Sequence, residues 1–214
     1  MSKEIVTPLS IILDQADSFT LLLAPPAWGK SHLVFNLAKL GHTILYLAPL
    51  QAINAELAIK SRTFGVRAIT VQSGHPLRGE LGTSGSIIIC GVEQFSVKTL
   101  EWMEHQSKKL LIVLDELHLF LSWGESFRPR LLEIYQELLL SSIPVLALSA
   151  TINSRLLGEI GRDCALVDRD PIAINLGNMV LANPPAKEWA YHHTLRSQFD
   201  RRFHYHLLRG KTST

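Results

Sequence analysis

Lys30 and Ser31 are the first residues whose types and spacing suggest chemistry. They close the stretch Ala24-Pro25-Pro26-Ala27-Trp28-Gly29-Lys30-Ser31, an A-x-x-x-x-G-K-S run. The phosphate-loop pattern is G-x-x-x-x-G-K-[ST], and its chemistry survives the change at the first position. Backbone N–H groups of such a loop, with those of the helix that follows, point at the β- and γ-phosphates of a nucleotide. Gly29 allows the backbone to approach, Lys30 brings a cation to the phosphates, and Ser31 offers a hydroxyl to Mg²⁺. ATP and Mg²⁺ are therefore the expected ligands. A G-K-S triplet alone is a weak signal. It gains weight here because an apolar strand, a loop and a helical pattern follow one another in the required order. The ring of Trp28 has to point away from the phosphates, and packing against a neighbouring loop is its expected role.

The second constellation is Asp115-Glu116, directly after the apolar run "LLIVL", with His118 two residues on. Two adjacent acids at the carboxyl end of a buried strand lie where open α/β sheets bind ligands. In a phosphate-loop enzyme an Asp here holds Mg²⁺ and the Glu polarises the attacking water. Ser31 and Asp115 are thus the candidate metal ligands, and Lys30, Asp115, Glu116 and His118 the candidate catalytic groups. Beyond them "LSWGESFRP" places Trp123, Phe127 and Arg128 within one short segment. Aromatic rings stack on nucleic-acid bases without sequence preference, and a nearby Arg reaches phosphate. The plainer reading of both rings is an anchor to the core.

These residues need a scaffold, and the chain is long enough for one substantial α/β domain. Of its 214 residues 47% are hydrophobic, and the net charge of +2 is too small to mark a nucleic-acid binder by itself. Apolar runs at 19–24, 43–48, 68–72, 86–90, 110–115 and 144–150 alternate with helical patterns at 30–40 and 51–62. Nearly continuous apolar runs fit strands buried on both faces of a parallel sheet. The expected fold is therefore α/β, a three-layer sandwich with a mostly parallel central sheet. A last helix end and strand are expected within 159–170. Cys90 and Cys164 read as buried thiols in a reducing, cytoplasmic setting. With no apolar run of membrane-spanning length, no membrane partner is expected.

Taken together, "APPAWGKS", "DELH" and "LSAT" (148–151) resemble motifs I, II and III of superfamily 2 helicases of the DExH kind, in the right order. "LAPLQAINAE" (47–56) resembles motif Ia. The segment "LSWGESFRP" is similar to the aromatic-rich loop that follows motif II in the RecQ family of DNA helicases, a W-G-x-x-F-R-P core matched by Trp123, Gly124, Phe127, Arg128 and Pro129. The resemblance covers roughly residues 19–176. It implies a RecA-like (P-loop NTPase) fold in which Ala24 to Ser31 hold ATP. It also implies that Ser149, Ala150 and Thr151 couple the sites, and that Pro49, Gln51, Trp123, Phe127 and Arg128 contact single-stranded DNA or another nucleic acid.

Departures from the pattern are specific. The upstream F-R-x-x-Q motif that reads adenine in RecQ proteins has no counterpart in "IVTPLSIILDQADSF", motif II reads DELH rather than DEAH, and Pro25-Pro26-Ala27 stand for P-T-G. They leave a Ski-like DExH RNA helicase open as a subfamily. After Gly177 the composition changes: Pro184-Pro185 read as a linker, and the tail is rich in basic residues, with His192, His193, His204 and His206 at no standard metal spacing. The expected organisation is an ATP-binding domain over 1–177 and a linker with a basic, His-rich tail over 178–214. Helicases of this kind close a second RecA-like domain over ATP. Residues 178–214 are too few to form one, so this partner is expected in cis or in trans, with weak hydrolysis by the chain alone. A lone nucleic-acid or partner-binding module using ATP as a switch is the competing expectation.

Overall fold

A computed structural model of the chain describes residues 2–72 and 85–176. Pro184-Pro185 and the His-rich tail lie outside the described residues. Within these, fifteen segments follow one another. They begin with helix α1 (Ser2–Leu13), which precedes the first expected strand, and then β1 (Phe19–Leu23), α2 (Lys30–Lys39), β2 (Thr43–Ala48) and α3 (Gln51–Thr63). Next come β3 (Arg67–Thr70), β4 (Ser86–Gly91), a short 3-10 turn (Val92–Gln94), α4 (Val97–Gln106) and β5 (Leu110–Leu114). The series ends with α5 (Leu117–Gly124), α6 (Pro129–Leu139), β6 (Val145–Ser149), α7 (Ser154–Leu166) and β7 (Pro171–Asn175).

The seven strands form one sheet in the order β3-β4-β2-β5-β6-β1-β7, and every pairing is parallel. The apolar runs were continuous because the central strands are buried on both faces: β1, β2, β4 and β6 have no exposed position. Period-2 alternation divides their side chains between two cores. Leu45 and Leu47 face α4 to α7 together with Phe120, Leu131 and Ile160, while Ile44, Tyr46 and Ala48 face α1 to α3 together with Leu9, Phe35 and Leu57. The result is the expected α/β three-layer sandwich of RecA-like type. Because the sheet is all-parallel, every strand points its carboxyl end to the same edge, and the loops after β1, β2, β4, β5 and β6 gather there.

Two expectations are corrected. The last strand lies at Pro171–Asn175, beyond 159–170. Asp168 adopts a left-handed φ of 56° and breaks the chain between α7 and the sheet. The segment after Asp115-Glu116 is not an aromatic-rich loop from its start. It is helix α5, whose buried residues Leu117, Phe120, Leu121 and Gly124 fall at helical spacing on one face. Among the described residues, no helix is long and apolar enough to cross a membrane.

Candidate nucleotide and nucleic-acid site

Lys30 opens α2, and the conformation of the preceding loop explains how. Ala27 and Gly29 both have left-handed φ values, 61° and 106°. Gly tolerates this region freely, whereas Ala pays for it sterically. The two turns fold Pro25 to Gly29 back over the end of β1, and the Ala24 N–H donates to the Ser149 carbonyl (3.1 Å) at the neighbouring β6 end. Gly29 caps α2 without a side-chain hydrogen bond, and the first turn holds no acid. The helix start therefore turns backbone N–H groups toward the loop with no side-chain cap to answer them. Ser31 is half-buried on that first turn, while Pro26 and Ala27 are exposed. Trp28 is half-buried and packs against the α1–α3 core, and not only against a neighbouring loop.

Across β6, the end of β5 presents the two acids. Lys30 Nζ lies 3.5 Å from Glu116 Oε1. Glu116 itself is left-handed, φ 53° and ψ 50°, a conformation costing an L-residue about 1–2 kcal/mol and found preferentially at functional sites. Asp115 is buried. Its Oδ1 accepts the Glu116 N–H (3.0 Å) and its Oδ2 accepts the hydroxyl of Tyr46. Burial pushes the Asp115 carboxyl above its ordinary range, with the Tyr46 hydrogen bond and Lys30 opposing the rise. Burial pushes the Tyr46 phenol well above its ordinary range too, so it is the donor of this pair.

His118 connects the acids to the β6 end. Its Nδ1 lies 3.4 Å from Glu116 Oε2 and 3.0 Å from Ser149 Oγ, and the Ser149 hydroxyl is 2.7 Å from the Thr151 carbonyl. Burial holds the imidazole below its ordinary value, with Glu116 opposing the shift. Ser149 is buried, and Ala150 and Thr151 are half-buried beside it. Lys30, Glu116, His118, Ser149 and Thr151 thus form one connected polar chain over three strand ends.

The second group of residues is divided. Trp123, on the last turn of α5, is half-buried and packs on the α4–α7 core, whereas Phe127 is 68% exposed with its ring 5.3 Å from that of Trp123. Arg128 has protein partners: it donates to the Pro49 carbonyl (2.6 Å) and pairs with Glu93. Pro49 is buried and Gln51 exposed at the start of α3. Sequence reasoning missed Tyr46 and Glu93. Tyr46 carried a signal, since a phenol between the aliphatic Leu45 and Leu47 of "TILYLA" must find a partner inside the sheet. Glu93, in the turn after β4, carried none.

The donor set suits a nucleoside triphosphate with a divalent cation. The uncapped helix start and Lys30 are suited to phosphate, and the Ser31 hydroxyl and Asp115 carboxylate are hard oxygen donors suited to a cation. Among the described residues no three His, Cys, Asp or Glu side chains are grouped to hold a metal by themselves. Mg²⁺ bound by one or two protein oxygens and completed by phosphate fits that pattern. The family model of DEAD/DEAH box helicases matches residues 9–159. The chain belongs to the DEAD/DEAH box helicase family. Helicase domains of this family bind ATP with Mg²⁺. No curated protein matches the chain. Among solved structures, a variant of S. cerevisiae Dbp5 bound to RNA and ADP BeF3 has the same fold, with a TM-score of 0.52 and 12% identity over 75% of this chain. The DEAD/DEAH box helicase chain described here covers 42% of that chain.

Proposed function

We propose that residues 1–177 are the ATP-binding domain of a cytoplasmic, RecQ-like DNA helicase, and that 178–214 are its linker and basic tail. On this reading ATP is hydrolysed when a second RecA-like domain, in cis or in trans, closes on the site. The observation that carries the nucleotide part is the Lys30–Glu116 pair, set 3.5 Å apart over a helix start that has no side-chain cap. Bound Mg-ATP supplies the phosphoryl group and the charge of the cation. The N–H groups of Ala27 and Gly29, with those of the first turn of α2, would face the phosphates, since Pro25 and Pro26 have none and those of Ala24 and Trp28 are already bonded. Lys30 would turn from Glu116 to phosphate, and Ser31 and Asp115 would hold the cation directly or through water. Glu116, released from Lys30, orients the attacking water and takes its proton. His118 passes a shift of Glu116 to Ser149 and Thr151.

Single-stranded DNA is the proposed partner because Phe127 offers an exposed ring next to Trp123, three residues past the far end of α5, the helix that Glu116 opens. Arg128 reaches a DNA phosphate only by leaving Glu93, so its contribution is an exchange of partners. RNA is the second reading, favoured by the RNA bound to the Dbp5 structure of similar fold. Calorimetry with Mg-ATP tests the first part: Lys30→Ala should weaken binding at least tenfold, and equal affinity refutes the phosphate-loop assignment. Fluorescence anisotropy with DNA and RNA strands of one sequence tests the second. Tighter DNA binding, weakened by Phe127→Ala, is expected, and preference for RNA selects the Ski-like alternative.

A further inference from the structure

Tyr46 stands in the middle of β2, 1% exposed, among the aliphatic side chains that pack under α1 to α3. Its partner across the sheet is Val113 of β5. Asp115, two residues on and just past the end of β5, therefore lies diagonally ahead on the same face, within reach of the phenol. The phenol hydroxyl donates to Asp115 Oδ2, while Oδ1 takes the Glu116 N–H at 3.0 Å. Both oxygens of the carboxylate are held, one from inside the sheet and one from its own chain. Phenylalanine would fill the same volume, so packing alone does not call for the hydroxyl.

We propose that Tyr46 is a positioning residue that presets the Asp115 carboxylate for the Mg²⁺ of a bound nucleotide. The inference rests on the nucleotide-binding reading above. A carboxylate at a strand end turns about two side-chain bonds, and a cation that it must meet has to wait for the right rotamer. The Tyr46 hydroxyl fixes that rotamer from a strand whose own position is set by pairing with both β4 and β5. Partners that orient a ligating carboxylate typically contribute about 10–100-fold to metal affinity.

The test is fluorescent-ATP binding to the 214-residue chain, titrated with Mg²⁺ and repeated in EDTA, for wild type, Tyr46→Phe, Asp115→Asn and the double variant. Wild type should bind ATP more tightly with Mg²⁺. Tyr46→Phe should raise the Mg²⁺ half-saturation by about tenfold while leaving affinity in EDTA as in wild type. In the Asp115→Asn background the same change should have no further effect on Mg²⁺ dependence, because the two residues act as one unit. An unchanged Mg²⁺ half-saturation in Tyr46→Phe overturns the proposal. So does an equal loss with and without Mg²⁺, which makes Tyr46 a packing residue, and so does a full Tyr46→Phe effect in the Asp115→Asn background. Wild type that binds no nucleotide at all is a different failure, of the phosphate-loop reading itself.

Discussion

Glu116 is held left-handed between Lys30 and His118, and that placement separates binding from turnover. Glu116→Gln keeps the shape and loses the charge. Lys30 is then freer to meet phosphate, so Mg-ATP affinity should be kept or improved. Hydrolysis measured with a second RecA-like domain present should fall about 100-fold or more, the usual worth of a positioned general base. Unaltered turnover would remove Glu116 from the reaction. A second residue, His42, governs stability instead. Its ring is buried at the opposite edge of the sheet, with Nε2 2.9 Å from Ser10 Oγ and 3.6 Å from Asp14 Oδ1, which in turn pairs with Lys109 at 3.1 Å. Burial, with Lys109 adding to it and Asp14 opposing, lowers its pKa from 6.5 to about 4. Between those values the unfolded chain binds a proton that the folded chain refuses. Stability is therefore full above pH 6.5 and is lost as pH falls toward 4. The melting temperature of wild type should drop over that interval, and His42→Asn should flatten the drop even if it melts lower throughout.

Helices α5 and α6 decide how the aromatic pair is presented. A Cβ on Gly124 would sit 2.6 Å from Leu132 Cβ and 2.8 Å from its backbone N, so only glycine lets α6 turn back against the end of α5. Gly124→Ala should destabilise the domain by roughly 1–3 kcal/mol, the usual range for overpacking, read as a lower midpoint in urea unfolding. Trp123→Ala should lower the melting temperature by several degrees, because the half-buried side chain packs on the core. Phe127→Ala should leave it within about a degree while weakening nucleic-acid binding. Equal melting losses in both would make both rings anchors. Much at this scale was legible beforehand. The uninterrupted apolar runs gave the parallel sheet, and the G-K-S and D-E placements put the chemistry at the ends of β1 and β5. Helix α5 was hidden because its residues were read for their chemistry, although Leu117, Phe120, Leu121 and Gly124 kept helical spacing. The partners of Arg128 were hidden for a different reason: Pro49 and Glu93 are distant in sequence and join it only when the loops after β2, β4 and α5 converge.

The residues of the candidate nucleotide site gather at one edge of the sheet, and the cation among them that would meet the phosphates is Lys30. Reaction there develops more charge than one lysine answers. The 214-residue chain should therefore not separate a nucleic-acid duplex, and any ATPase rate of the chain should be low and should rise on adding a second RecA-like domain in trans. A strand-displacement assay checks this, and robust unwinding by the chain alone, lost in Glu116→Gln, would contradict it. Arg128 shapes what such a partner would encounter. One guanidinium ties the Pro49 carbonyl, Glu93 and the start of α6, so the loops after β2, β4 and α5 share a single knot. A pull on any of them is felt by the other two. On the proposed DNA-binding reading, trimming Glu93 would free Arg128 for a phosphate and, as the guanidinium swings out, also give up its hold on the Pro49 carbonyl, making grip and loop order one inherited trait rather than two.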